Sequence, residues 1–169
     1  MLASLFRRLT AHPERGAALF EALTERAREP HWYIEGKLPD TIDGRFAVLA
    51  TVTALALVRL EQGGDAGNAV SVALTERFIQ VMESEHRELG LGDPNLGRQV
   101  RKLVGMLGRR VELWRNAIAL GQWNEAAQQS LYKQDVSSGA LLHSANALRS
   151  LWSGLSEAEV HSLGEGRLG

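Results

Sequence analysis

The chain has 169 residues, a formal net charge of −1 and no cysteine. That length holds one ordinary domain. The charge balance removes the global basic surplus on which nonspecific nucleic-acid binding draws, and the missing thiols exclude disulfides, thiolate metal sites and a cysteine nucleophile. Two tyrosines, four prolines and few β-branched runs argue against an all-β chain. The expected fold class is all-α, a single-domain helical bundle of six or seven helices.

Residues 1–12, MLASLFRRLTAH, place Leu2, Leu5, Phe6 and Leu9 on one helical face, with Arg7 and Arg8 opposite and no acid. The pattern suits an amphipathic helix on an anionic membrane, the start of a transit peptide, or a terminal helix packed on the domain. Residues 1–14 are therefore read as an N-terminal amphipathic segment and 15–165 as the helical domain. From Arg15 to Glu29 a helix carries Leu19, Phe20, Leu23 and Ala27, and Pro30 ends it. The stretch that follows reads as an irregular polar loop holding Trp32, Tyr33, Gly36 and Pro39. Asp40 or Thr41 can cap the next helix, and Asp43 adds a favourable charge near its positive end. Arg45, a cation in the first turn, opposes the dipole and calls for a carboxylate from Asp40, Asp43 or another helix.

No residue from Phe46 to Val58 is charged, and the apolar side chains point all round a helix. Such a helix is enclosed by protein or by lipid. The run falls well short of the roughly 20 apolar residues that span a bilayer. A central buried helix over about 43–61 is the expectation. Gly63 and Gly64 stop it, and the next helix is expected from about Ala69 to Leu89, with Leu74, Phe78, Val81 and Met82 on one side. Glu85 falls within that stripe, as a catalytic carboxylate, an ion-pair member or the exposed end of the stripe.

Asp93 and Pro94 form a helix start signal. Beyond them Leu96, Val100, Leu103, Leu107, Val111, Trp114 and Ile118 keep to an arc of about 80° by helical arithmetic. Arg98, Arg101, Lys102 and Arg109 stand opposite, as a solvated face or a docking surface for an anionic partner. Gly105 and Gly108 lie on or beside this polar face, although each interior glycine costs about 1 kcal/mol relative to alanine. They either permit close approach by another chain or are tolerated. Gly121 ends the helix. Further helices are expected from Asn124 to Lys133 and from Ser138 to Trp152, with Ser156 and Glu159 at capping-box spacing before a short last one.

His12, His31, His86, His143 and His161 are scattered, with no helical i, i+4 pair, and no phosphate-loop, nucleophile-elbow or zinc-protease motif occurs. No catalytic, cofactor-binding or metal-binding residue is assigned.

The chain resembles the ubiquinol-cytochrome c chaperone family. The resemblance runs from Ala27-Arg28-Glu29-Pro30 and Tyr33 through Leu38-Pro39-Asp40-Thr41 and Asp43-Gly44-Arg45-Phe46 to Leu57-Val58-Arg59-Leu60. It resumes at Arg87-Glu88-Leu89-Gly90-Leu91-Gly92-Asp93, Gly97-Arg98 and Val100-Arg101-Lys102, and ends weakly at Leu131-Tyr132. It implies a non-enzymatic assembly factor of the respiratory cytochrome bc complex that engages newly made cytochrome b, with a second small assembly factor in mitochondria. The short N-terminus is read as that of a bacterial member, cytoplasmic or peripheral on the inner membrane through residues 1–12. A mitochondrial member would work on the matrix side. Family members tend to carry an acid after Arg-Phe and a histidine further on, where this chain has Ala47 and about Val52, and an arginine and asparagine where it has Gln129 and Ser130. The expected partner surface is Trp32, Tyr33, Asp40, Asp43 and Arg45 together with Arg98, Arg101 and Lys102. Two rival readings are an enzyme or ligand-binding protein with a pocket at residues 30–45, lined by Glu85, Arg45 and Asp43, and a membrane-surface adaptor.

Overall fold

A computed structural model describes residues 16–88 and 96–169. Among these, eight helices follow one another: α1 Ala17–Arg28, α2 His31–Ile34, α3 Ile42–Glu61, α4 Gly64–Glu88, α5 Leu96–Leu120, α6 Trp123–Leu131, α7 Ser138–Glu157 and α8 Val160–Gly164. The described fold is all-helical. The N-terminal amphipathic segment and the Asp93-Pro94 start signal lie outside the described residues.

The apolar run becomes the axis of the molecule. α3 packs against α1, α4, α5, α6 and α7, and Val48, Ala50, Val52, Ala54, Leu55 and Leu60 are wholly removed from solvent. Burying each valine or leucine side chain contributes roughly 1.5–3 kcal/mol, which gives five helices reason to converge on one. No described helix is long and apolar enough to cross a membrane. The aromatic core forms where α1, α3 and α4 meet: Phe78 lies 6.4 Å from Phe20 and 6.2 Å from Phe46 between ring centroids. Trp114 and Trp123 join α5 to α6 at 5.5 Å.

Two polar side chains inside α3 show how enclosure is managed. The Thr51 hydroxyl bonds back to Ala47 O at 2.7 Å and meets Ser130 Oγ at 2.6 Å. Ser130 Oγ also accepts the Trp114 indole N–H at 3.1 Å, so one serine ties α3, α5 and α6 together. Arg59, at the last turn of α3, donates to Leu155 O and Ala158 O, both at 2.9 Å. A cation on carbonyls that α7 leaves open at its C-terminal end is favoured by hydrogen bonding and by the dipole. Thr53 Oγ1, by contrast, is buried and finds no partner among the described residues.

Several sequence expectations are corrected. The extra helix over the expected six or seven is α2, a single turn inside the stretch read as irregular. Gly63 and Gly64 mark the break after α3 as expected, with Gly64 at φ 58°, but α4 begins at Gly64 rather than Ala69, because Gly67 serves close packing within its first turn. A Cβ on Gly67 would lie 2.1 Å from Leu60 O, so the first turn of α4 rests directly on the backbone at the end of α3. The capping box at Ser156 does not form. That hydroxyl bonds back to Trp152 O inside α7, which runs to Glu157, and Glu159 precedes α8 without a side-chain cap.

The two threonines should respond in opposite senses to the same change. Thr51→Val orphans part of the Ser130 cluster and should lose about 1–3 kcal/mol. Thr53→Val removes an unpaired buried hydroxyl and should be neutral or stabilising by about 1 kcal/mol. Urea denaturation of the two variants checks both signs.

Candidate functional site

The residues singled out between 30 and 45 form a folded corner. The last carbonyls of α1 have no helical partners of their own. Trp32 and Tyr33 supply them: the indole N–H donates to Arg26 O at 2.8 Å and the Tyr33 hydroxyl to Ala27 O at 3.1 Å. Trp32 is 2 % exposed, so it closes α1 and fills the core and is not part of a partner surface. Beyond α2 the chain reverses through Lys37, whose φ of 55° is the left-handed conformation. A Cβ on Gly36 would stand 2.4 Å from Trp32 O and 2.7 Å from Ser144 Oγ. The Tyr132 hydroxyl secures the turn, donating to Gly36 O at 2.6 Å with Ser144 Oγ at 2.7 Å as its second partner.

The start of α3 follows the expected chemistry. Thr41 is the cap, accepting from Gly44 N at 3.2 Å. Glycine is required at 44, since a Cβ there would lie 1.9 Å from Pro39 O. Arg45 finds its carboxylate in Asp40, at 2.7 Å, and Asp43 takes the Lys133 ammonium at 2.6 Å. Each carboxyl is held below its ordinary range, chiefly by the hydrogen bond from its basic partner. All four side chains are more than half exposed, where such pairs contribute little to stability. Three aliphatic side chains on the elements that meet here are left in water: Ile34 at 60 % exposure, Ile42 at 68 % and Leu142 at 52 %.

A chain of polar contacts that sequence reading missed crosses the same corner. Glu29 Oε2 lies 2.9 Å from His31 Nε2, and His31 Nδ1 lies 3.0 Å from His143 Nε2. An ionised carboxylate only accepts, so His31 donates from Nε2 and, when neutral, accepts at Nδ1 from His143. The two histidines are 112 residues apart in sequence, and no local spacing could pair them. Among the described residues, no three histidines, aspartates or glutamates gather as metal ligands.

On the opposite count, Arg98, Arg101, Lys102 and Arg109 of α5 are all exposed. Arg110, their neighbour, is drawn inward. Its guanidinium stands 5.9 Å over the Phe46 ring and donates to Ser130 O at 3.2 Å, and burial lowers its pKa. Ser130 thus anchors Thr51, Trp114 and Arg110, while the α3 backbone at Ala47 accepts the Thr51 hydroxyl.

The pocket expected of an enzyme does not assemble from the residues proposed for it. Glu85 is exposed at the end of its stripe and borders a depression of about 250 Å³ with Arg77, Gln80, Val81 and Ser84. Asp43 and Arg45 lie elsewhere, each engaged in an ion pair.

The chain matches the family model described as ubiquinol-cytochrome C chaperone over residues 35–158. No curated protein matches it. Among solved structures, the Cbp3 homolog from Brucella abortus is similar at 26% identity, with a TM-score of 0.78 over 98% of this chain and 94% of that one.

Tyr132 gives the corner a measurable signature. Burial raises its pKa, as it does for Tyr33, so the folded chain binds these phenolic protons more tightly than the unfolded one. That stabilisation is complete below the unfolded value of about 10 and is lost as pH rises past it. Tyr132→Phe should leave Gly36 O without its partner and cost about 1–3 kcal/mol. Thermal melts between neutral and alkaline pH should show a shallower alkaline decline for Tyr132→Phe than for the parent.

Proposed function

The chain belongs to the ubiquinol-cytochrome C chaperone family, and on that premise we propose that it holds newly made cytochrome b during assembly of the cytochrome bc complex. The role as an assembly chaperone of ubiquinol-cytochrome c reductase comes with the family. The finer reading concerns what is held and where. Cytochrome b is a membrane-embedded polypeptide, so its unassembled segments carry apolar surface that water disfavours. A holder needs exposed apolar contact on a rigid frame, with polar groups around it to keep the free protein soluble.

The corner between α2, the start of α3, the end of α6 and the start of α7 supplies that combination. Ile34, Ile42 and Leu142 are its exposed aliphatic contacts. Asp40 with Arg45 and Asp43 with Lys133 form a charged rim. The frame beneath is fixed by the Tyr132, Thr41 and His143 hydrogen bonds. The single observation that carries the reading is that three of the six large exposed aliphatic side chains among the described residues, Ile34, Ile42 and Leu142, belong to the elements that meet at these paired charges. It also supports a non-enzymatic role, because a holding surface needs no reacting group. We place the protein on the cytoplasmic side of the bacterial inner membrane, peripheral to it, with residues 1–12 as the membrane contact.

Affinity capture from solubilised, crosslinked membranes should enrich cytochrome b. Ile42→Asp combined with Leu142→Asp should reduce that enrichment at least tenfold with little change in Tm, since both side chains already face water. Equal enrichment by parent and variant would remove the client from this corner, and no enrichment by the parent would remove cytochrome b as the client.

A further inference from the structure

The outer face of α5 is a second surface whose design the fold does not explain. Helical arithmetic puts Arg98, Arg101, Lys102, Gly105, Gly108 and Arg109 within an arc of about 120°, over a length of roughly 16 Å. Leu103, Leu107, Val111 and Trp114 face the other way and are buried. The first turn holds no acid, so among the described residues nothing offsets Arg98 against the helix dipole. Arg98 with Arg101 and Arg98 with Lys102 are like-charge neighbours at three and four residues, an arrangement that weakens a helix. The other arginines of α5 are provided for. Arg115 makes a two-pronged contact with Glu61 at 2.9 and 2.6 Å, and Arg110 is held by Phe46 and Ser130. Among the described residues, none of the four stripe cations has a carboxylate partner.

The glycines point outward as well. Elsewhere in the helices Gly44 and Gly67 are required by backbone a Cβ would strike. Among the described residues, a Cβ at Gly108 would meet nothing within 4 Å, and one at Gly105 only the tip of Arg109, at 3.4 Å. The chain gives up helix stability at two interior positions with no return inside the monomer. Their effect is a shallow notch in the middle of a cationic stripe.

We propose that this face docks an acidic helix of a partner protein, its carboxylates pairing with Arg98, Arg101, Lys102 and Arg109 and its backbone seated over Gly105 and Gly108. Arginine forks match carboxylates in geometry as well as charge. Glycine lets two helices approach closely, a feature that a lipid headgroup or a mobile polyanion would not use. The inference rests on the assembly-chaperone reading only in assuming a protein partner, and the surface is separate from the corner assigned to cytochrome b.

The test uses the full chain and a synthetic helical peptide with glutamates along one face and alanines along the other. Vesicles of phosphatidylcholine with anionic phospholipid serve as the competing probe. Fluorescence anisotropy should show peptide binding that weakens with salt. Arg98→Glu with Arg101→Glu should reduce it at least tenfold. Gly108→Leu keeps every charge and should also reduce it at least tenfold, while Tm stays level or rises, because the substitution fills open space and removes a helix glycine. Peptide binding unaffected by Gly108→Leu would overturn helix seating. Vesicle binding abolished by the charge reversal, with no peptide binding, would reassign the face to lipid and overturn the proposal. Cytochrome b capture is read separately: failure of the peptide with capture intact sinks only this surface, and the reverse sinks only the client assignment.

Discussion

A helix with no polar face can exist in water only if other elements enclose it on every side. α3 is such a helix, and the remaining architecture follows from covering it. Five helices pack against it, and the backbone at its two ends is approached so closely that glycine is needed at 44 and 67. Enclosure creates a second requirement, because the hydroxyls inside it must be paired or paid for. Thr51 is paired through Ser130, and Thr53 is not. Polar groups escape enclosure at both ends of α3, in the Glu61–Arg115 pair at its C-terminal end and in two pairs at its N-terminal end. That end carries the exposed Asp40–Arg45 and Asp43–Lys133 pairs.

How much of this was legible depends on the range of the interaction. The all-apolar run identified the central helix because burial on all sides leaves a compositional trace over more than three turns. The Thr41 cap and the Asp40 partner of Arg45 were legible because both involve residues within five positions of each other. The amphipathic pattern of α5 gave its buried side correctly at Leu103, Leu107, Val111 and Trp114. The failures are of two kinds. Trp32 and the start of α4 were misread through local habit: an aromatic among polar residues suggested a loop, and the glycine-rich run after the break at Gly63 and Gly64 suggested a helix starting only near Ala69. In the fold the aromatic closes α1, and Gly67 allows backbone to touch backbone. The Glu29–His31–His143 chain and the Tyr132 tie to Gly36 were invisible for another reason. They join residues about a hundred positions apart, and only the fold brings them together.

The same distinction applies to the candidate surfaces. The corner is defined by long-range ties, so its geometry came from the structure, although Asp40, Asp43 and Arg45 were named from sequence. The basic face of α5 is a local pattern and could be drawn from sequence alone. The structure adds the environment of each glycine, separating those the fold requires from those it does not. A glycine whose missing side chain would touch nothing is a different object from one wedged against a carbonyl, though the two look identical in a sequence.

The contacts of α3 also bear on the order in which the chain becomes complete during synthesis. Its hydroxyl at Thr51 waits for Ser130, and Arg59 waits for the carbonyls of Leu155 and Ala158. A polypeptide emerges N-terminus first, and contacts between distant segments cannot form until the later one has left the ribosome. For much of its own translation, therefore, this protein carries an apolar helix for which, α1 apart, the covering helices are still to be made. A member of a chaperone family thus begins with exposed apolar surface of its own, and it leaves that condition only when its final third has been made.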